Sequence, residues 1–311
     1  AIAAEYSPEK AAEYLDRSAL NWVKTKKCAT CHTNLFYLVA RPALKTILPD
    51  SGEVRGFYED YPKVRWQKRL PREGNGFWAV VVGAGLTFND AQTTGKLSDV
   101  SRETLDVMWT VQRADGGWNW PDCDYAPIEK DDHYGATLAT LAVGIAPDGY
   151  ADTPRAQKGL ENVRKYFANN PPKSLHHRAM LAWCAVRVDG IATEKQQAKT
   201  LEELLALQLE DGGWSTNGLL SDWKGLVGEE DELDVKTSDG YATGLVIVIA
   251  RELGVSADDE RLRRGIAWLK SNQRESGKWF TQSPVHECRN LISNVGSAFA
   301  VLALQACGEL P

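Results

Sequence analysis

A short pattern that occurs three times in the chain constrains its fold more than any other feature. The segments are VQRADGGWNW (111–120), LQLEDGGWST (207–216) and NQRESGKWFT (272–281), and in each a glutamine is followed four residues later by glycine and six later by tryptophan. Each glutamine ends a stretch of helical periodicity, and each glycine stands where a helix end often needs a left-handed residue. We therefore predict that the tryptophans pack back on these turns as structural clamps between helices: Trp118, Trp214 and Trp279.

A more apolar segment follows each motif, and the three segments align without gaps: DDHYGATLATLAV (131–143), SDGYATGLVIVIA (238–250) and ISNVGSAFAVLAL (292–304). Looser copies begin at Cys31, Gly74 and Ser174. Amphipathic stretches precede them, with helix-start signals at Ser7, Thr153 and Thr193, although the stretch at 58–70 fits poorly. Six pairs of one outer amphipathic and one inner apolar helix predict an all-α fold, an α6/α6 toroid in which residues 1–311 form a single closed ring of six helical hairpins.

Charge and hydropathy exclude two classes of function. The chain has 36 basic and 42 acidic side chains, a net charge of −6, and no basic cluster that would neutralise phosphates, so we expect no nucleic-acid partner. No apolar run approaches the length of about 18 residues that a transmembrane helix requires. The opening AIAAEYSPEK has the small residues typical of a chain whose leader was removed, and this favours a periplasmic or secreted protein.

The segment KKCATCHTN (26–34) contains Cys28, Cys31 and His32 in the spacing C-x-x-C-H. This spacing is typical of c-type haem attachment, in which both thiols bind the haem and the imidazole reaches the iron. A zinc site would have to recruit Cys123 or His286, because the chain has no second C-x-x-C pair. Unliganded or disulfide-bonded thiols are the third alternative. Among these, the sequence favours one covalent haem c over zinc.

All five histidines fall near the starts of inner helices. In a ring of parallel inner helices these starts meet at one mouth, so we expect a cofactor or metal site there. The candidate metal ligands are His32, His133, His176, His177 and His286, with His133 and His286 the leading partners for an iron held by His32. Three carboxylates share the rim as candidate catalytic groups or helix caps, Asp131, Asp132 and Asp239, and two tyrosines beside them are candidate cofactor-binding or packing residues, Tyr134 and Tyr241.

The Gln-to-Trp motifs and the D-x-Y starts of two inner helices, Asp132-His133-Tyr134 and Asp239-Gly240-Tyr241, resemble the α/α toroid superfamily of terpenoid cyclases and protein prenyltransferases. The repeats are similar to those of squalene-hopene cyclases, well over residues 100–308 and weakly over 1–99. The resemblance implies the toroid, but the catalytic motifs depart from it. The segment nearest to the cyclase acid motif D-x-D-D is IEKDDHYG, in which Glu129 replaces the first aspartate. Neither WPDCDY nor PVHECR reproduces the prenyltransferase zinc arrangement.

Together these features predict a periplasmic or secreted c-type haem protein on a cyclase-like toroid. It would act in electron transfer, oxidation chemistry or sensing, with a redox partner protein and with a cavity that binds an apolar small molecule. The alternative is an isoprenoid cyclase or prenyltransferase-like enzyme without haem, zinc-dependent, whose acid is Asp131 or Asp132. A toroid that only binds a ligand or partner is a third hypothesis.

Overall fold

The computed structural model describes residues 1–123, 125–228, 232–284 and 291–311, and within them the secondary structure is helical, with no β-strand. The helices are α1 (Pro8–Lys26), α2 (Asn34–Ala40), α3 (Glu53–Asp60), α4 (Trp66–Lys68), α5 (Phe77–Thr93), α6 (Asp99–Thr110), α7 (Asp132–Ile145), α8 (Pro154–Asn169), α9 (Leu175–Arg187), α10 (Glu194–Ala206), α11 (Thr216–Leu220), α12 (Gly240–Glu252), α13 (Glu260–Asn272) and α14 (Leu291–Ala306).

Outer and inner helices alternate along the chain. Outer helices bury one face only, as α8 does, whereas inner helix α12 is buried at every position from Gly240 to Ala250. The inner helices are α2, α5, α7, α9, α12 and α14, and each packs against the next, with α14 returning to α2. The described residues thus confirm the predicted α/α toroid of six hairpins. None of the helices in these ranges combines the length and apolar character needed to cross a bilayer.

The helix starts follow the sequence signals. The side chains of Ser7, Thr153 and Thr193 cap α1, α8 and α10 by accepting a hydrogen bond from the backbone N–H three residues later. The poorly patterned outer helix differs from the prediction. It begins at Glu53, before the expected 58–70 stretch, and the segment Tyr61–Arg65 is a π-helical turn that contains Pro62. Proline lacks the N–H that a regular helix needs, which accounts for the weak pattern there.

The Gln-to-Trp motifs form three equivalent turns. Each tryptophan is fully buried, and its Nε1–H donates to the carbonyl ten residues earlier, at 2.9 Å for Trp118, 2.7 Å for Trp214 and 2.7 Å for Trp279. The predicted equivalence of the three tryptophans is therefore confirmed. The carbonyl acceptors belong to Met108, Leu204 and Leu269, near the end of the preceding outer helix, so each indole ties the turn to that helix.

The glutamines of these motifs join neighbouring outer helices. Each Nε2 donates to the glycine carbonyl of its own turn and to a second carbonyl on or next to the following outer helix. The second acceptors are Gly159 in α8, Arg261 in α13 and Ser7 before α1. The last of these bonds, from Gln273 to Ser7 at 2.9 Å, links the final outer helix to the first and closes the outer ring.

Candidate active site at the mouth of the ring

The mouth is the end of the ring at which the inner helices begin, and two of its side chains cap helices. Asp131 caps α7 by accepting from the backbone N–H of Tyr134. Asp239 caps α12 by accepting from Ala242 N–H at 3.0 Å. These positions place carboxylates where the partial positive charge of a helix N-terminus stabilises them.

Three of the five predicted histidines meet at the mouth. The rings of His133 and His177 stack with centroids 4.3 Å apart, and the ring of His176 lies 6.2 Å from that of His177. His176 Nε2 is 2.7 Å from the hydroxyl of Tyr241, and the ring of Tyr134 stacks on that of His176 with centroids 6.1 Å apart. The side chains of these three histidines and two tyrosines are all buried, so they fill the centre of the ring at the level of the mouth.

His32 occupies a different part of the mouth. Its ring packs edge-on against Trp22, and its Nε2 lies 3.9 Å from Oε1 of Glu129. Burial lowers the pKa of His32 to about 3, so the imidazole is neutral at ordinary pH. The fifth histidine, His286, lies outside the described residues, together with Cys288.

The C-x-x-C-H turn is held by main-chain hydrogen bonds to tyrosines. The hydroxyl of Tyr61 accepts from Ala29 N–H at 2.7 Å, and that of Tyr58 accepts from Thr30 N–H at 3.3 Å. Cys28 is half-buried and Cys31 fully buried, and both are free thiols. The Cys31 thiol donates to Glu129 at 2.8 Å, whereas Cys28 Sγ accepts from the indole N–H of Trp22.

Two carboxyl groups beside Lys130 have pKa values displaced in opposite directions. Burial raises the pKa of Glu129, and hydrogen bonds from Cys31 and Cys123 only partly offset that effect. Burial also acts to raise the pKa of Asp131, but there the hydrogen bond and charge of His177 and the ion pair with Lys173 outweigh it and hold the pKa well below its usual range. The mouth therefore holds one carboxyl whose proton is retained to higher pH than in an exposed glutamate and one that stays ionised to lower pH than an exposed aspartate.

The other two predicted carboxylates anchor the loops. Asp132 accepts from the backbone N–H of Trp120 at 2.9 Å and pairs with Arg113. Asp239 accepts from both the N–H and the hydroxyl of Thr216, at 2.6 and 2.8 Å, and burial raises its pKa to about 6. The geometry thus gives both groups a capping or anchoring task, the second of the two roles that the sequence left open, and a catalytic role stays a prediction.

A pocket of about 560 Å³ opens at the mouth between the loop before α7 and the turn from α8 to α9. Asp131 and His133 line it, together with side chains that sequence reasoning did not identify, among them Trp120, Tyr166 and Lys173. The chain also has a larger groove of about 670 Å³, but this groove lies among α8, α9 and α10 and contains neither Asp131 nor His133, while Glu129, His176 and His177 line neither cavity. The mouth pocket is therefore the better candidate for chemistry.

The predicted metal ligands do not converge on one point. Among the described residues, no three His, Cys, Asp or Glu side chains are placed so that they could hold a metal ion. His32 is buried against Trp22 and Glu129, apart from the stacked pair of His133 and His177. Covalent haem on Cys28 and Cys31 and the zinc alternative are not tested by this geometry and stay predictions.

No family model matches the chain, and no curated protein matches its sequence. Solved structures do match its fold. They include a glycosidase variant in complex with glucose (TM-score 0.57, 10% identity, 98% of each chain covered) and a glycosyl hydrolase of family 88 from Bacteroides vulgatus (TM-score 0.55, 11% identity, 98% of this chain and 99% of that one). A third is a possible family 105 member from Salmonella enterica serovar Paratyphi A (TM-score 0.53, 11% identity, 96% and 94% covered).

These neighbours correct the functional interpretation of the sequence. The ring matches glycosidases rather than a haem-carrying relative of terpenoid cyclases or prenyltransferases, so the resemblance was wrong, and so were the haem redox function and the alternative cyclase or transferase activity. The reason is physical: Gln-to-Trp turns join helices and therefore report how hairpins pack, not what a site does.

Proposed function

We propose that this protein is a glycoside hydrolase whose reaction takes place at the mouth of the ring. The observation that carries the proposal is the pair Glu129 and Asp131, whose surroundings displace their pKa values in opposite directions. Most glycosidases use two carboxyl groups, one protonated and one ionised, on either side of the bond that breaks. Pairs of titratable groups with separated pKa values are the usual sign of such an acid and base.

Glu129 has the properties of the general acid. Its side chain is buried and contacts a thiol and a neutral imidazole rather than a cation, so its proton is retained to higher pH than that of an exposed glutamate. In the proposed reaction this proton passes to the glycosidic oxygen as the bond to the sugar carbon breaks. The aglycone then leaves as a neutral alcohol.

Asp131 has the properties of the base. It lines the mouth pocket and is kept ionised by Lys173 at 3.1 Å and by His177 at 3.4 Å. It would take a proton from the water that bonds to the sugar carbon. Because only one residue separates it from Glu129, the two Cα atoms are at most about 7 Å apart, a spacing compatible with carboxyl separations of roughly 5 to 9.5 Å in glycosidases.

Two further features support the proposal. The mouth pocket contains the aromatic rings of Trp120 and Tyr166, and such rings pack against the apolar faces of sugars. The fold neighbours with the same ring are glycosidases, and one of them was solved with glucose bound.

The test is hydrolysis of a panel of methylumbelliferyl glycosides and unlabelled oligosaccharides by the purified protein. We expect at least one glycoside to be cleaved and Glu129→Gln and Asp131→Asn each to lower kcat/KM by at least about 10³-fold, since each removes a proton-transfer group. Glu161→Gln is the matched control, because Glu161 is an exposed carboxylate on α8 that pairs with Lys165 and lies outside the mouth pocket. Absence of hydrolysis across the panel, or unchanged rates in both folded variants, would overturn the proposal.

A further inference from the structure

His133 has an unexplained feature. Its side chain is 4% exposed, both of its ring nitrogens lack a hydrogen-bond partner among the described residues, and it lines the mouth pocket. A buried polar atom without a partner costs about 1 to 3 kcal/mol, and such groups in native structures call for an explanation. A ligand in the pocket would supply the missing partners.

The neighbours of His133 hold its ring but offer it no hydrogen bond. It stacks on His177, 4.3 Å between centroids, and lies 5.2 Å from the ring of Phe167. His177 is itself engaged elsewhere: its Nδ1 accepts from the backbone N–H of Lys173 at 3.1 Å, so its Nε2 carries the proton and faces Asp131. His133 is therefore fixed in orientation with its two nitrogens unused.

The imidazole of His133 is neutral. Burial lowers its pKa to about 3, and the neighbouring His177 acts in the same direction. A neutral imidazole has one N–H donor and one nitrogen acceptor. A sugar hydroxyl also both donates and accepts, so it can satisfy either nitrogen, whereas a carboxylate can only accept and leaves the acceptor nitrogen unpaired.

The charges on the pocket wall also favour a neutral, hydroxyl-bearing ligand. Its two lysines already have carboxylate partners, Lys130 with Asp122 at 3.1 Å and Lys173 with Asp131 at 3.1 Å. A third carboxylate of the wall, Asp132, pairs with Arg113. An anionic sugar would bring a further negative charge close to these carboxylates, and its desolvation would not be compensated by an available cation.

We infer that His133 is a specificity-determining residue that recognises a hydroxyl group, and that the mouth pocket accepts a neutral saccharide in preference to a uronic acid. The inference names the substrate class of the site and in that respect rests on the proposed function. The ring edge of His133 would exchange hydrogen bonds with one sugar hydroxyl or with two vicinal ones. Trp120 and Tyr166 would contact the sugar's apolar face.

Glucose and glucuronate provide a matched pair of probes, because they differ only in the oxidation state of one exocyclic carbon. Binding to Glu129→Gln protein, in which turnover is suppressed and the Lys173–Asp131 ion pair is kept, is measured by saturation-transfer NMR and calorimetry for these sugars and for the corresponding disaccharides. We expect the neutral member to bind at least about tenfold more tightly. Adding His133→Phe, which keeps a flat ring but removes both nitrogens, should weaken neutral binding about tenfold, and His133→Gln should restore part of it.

A second measurement separates recognition from structure. Because His133→Phe removes two unpartnered buried atoms, we expect the free protein to keep or raise its melting temperature while it loses sugar binding. Tighter binding of glucuronate, equal binding by the His133→Phe protein, or no binding of either sugar class would overturn the inference. Hydrolysis restricted to uronides would overturn it and leave the proposed function standing, whereas His133-dependent glucose binding without any hydrolysis by the wild-type protein would overturn the proposed function alone.

Discussion

The turns that lead from outer to inner helices differ in chemistry although they occupy equivalent places in their hairpins. Three of them are Gln-to-Trp clamps, in which neutral side chains donate to backbone carbonyls of the preceding and following outer helices. The turn between α1 and α2 instead carries Cys28, Cys31 and His32, and tyrosine hydroxyls from the next outer segment hold its backbone. Those hydroxyls accept hydrogen bonds from backbone N–H groups of the turn. The side chains of Cys31 and His32 in the same turn contact Glu129.

This difference shows how one scaffold separates stability from chemistry. The clamps use glutamine, glycine and tryptophan, none of which titrates at ordinary pH, and they close the outer ring. The reactive side chains and the buried histidines lie at the mouth, where pH and substitution change proton transfer as well as packing. The predictions below test that separation.

The largest effect is expected from Gly277→Ala in the clamp that closes the ring. Gly277 has φ +90°, and a Cβ there would overlap the backbone carbonyl of Lys10 in α1. We expect a loss of about 4 kcal/mol in the free energy of unfolding, measured by urea denaturation. Gly254→Ala is the control: it has φ +89° but open space around its Cβ, so it should cost only about 1 to 2 kcal/mol. Equal losses would mean that ring closure adds no steric constraint.

Lowering the pH should reduce the free energy of unfolding, because the buried histidines of the mouth are neutral in the folded protein. Burial lowers the folded-state pKa of His32 and His133 to about 3 and that of His176 well below the unfolded value near 6.5, so their stability contribution is present above pH 6.5 and is lost as pH falls below it. Asp239 acts oppositely, since its raised pKa of about 6 adds stability as pH falls, and Glu129 acts in the same sense as Asp239. Three histidines outweigh these carboxyls.

Between pH 6.5 and 5.5 the net loss should be roughly 2 kcal/mol, from about 1 kcal/mol for each histidine less the opposing carboxyl contributions. Urea midpoints across this interval provide the measurement. His133→Phe should reduce the slope of the free energy of unfolding against pH by the equivalent of about one bound proton. Trp279→Phe, in a clamp, should lower the free energy of unfolding equally at pH 6.5 and pH 5.5. A slope that His133→Phe leaves unchanged would contradict the assignment of acid sensitivity to the mouth.

Cys31→Ala should affect both stability and chemistry. The substitution removes the thiol that donates to Glu129 and leaves a small void, for an expected cost of about 2 kcal/mol. Since that hydrogen bond lowers the pKa of Glu129, its loss raises the pKa further and should move the basic limb of the pH–rate profile to higher pH. Cys28→Ala, at the half-buried thiol, should leave that limb in place; a shared shift would show that Cys31 does not act through Glu129.

The smallest effect is expected from Tyr61→Phe. This change removes the acceptor for Ala29 N–H at 2.7 Å and leaves a buried donor unpaired, which should cost about 1 kcal/mol in thermal denaturation. Tyr6→Phe is the comparison, because the Tyr6 hydroxyl is buried without a partner and its loss should be close to neutral. If the two variants behave alike, the tyrosine support of the C-x-x-C-H turn is energetically unimportant.

The fold was largely predictable because its determinants are local. The three clamps have the same sequence spacing and form the same hydrogen bonds, and the capping residues Ser7, Thr153 and Thr193 begin the helices that the sequence indicated. The outer helix around Pro62 was poorly predicted because a π-helical turn interrupts its 3.6-residue periodicity. Its tyrosines are nevertheless buried, since tertiary contacts with the C-x-x-C-H turn override the local pattern.

The candidate site was predicted only in part. Parallel inner helices implied one mouth, and His133, His176 and His177 do meet there, but the same argument could not place His32 beside Glu129. The C-x-x-C-H spacing did not indicate that the Cys31 thiol donates to a buried carboxyl, because spacing along the chain carries no information about partners from distant segments.

The sequence by itself determined the hairpins of the ring, because the repeated turns and alternating helix types act through hydrogen bonds and burial between neighbouring segments, and the same turn motif also supplies the bond from Gln273 to Ser7 that closes the ring. Tertiary structure alone decided the chemistry of the mouth. Whether a carboxyl is protonated depends on burial and on partners from distant segments, such as Cys31 for Glu129 and Lys173 and His177 for Asp131. Two carboxyls that are only two residues apart in the chain therefore have pKa values displaced in opposite directions, which no local pattern encodes.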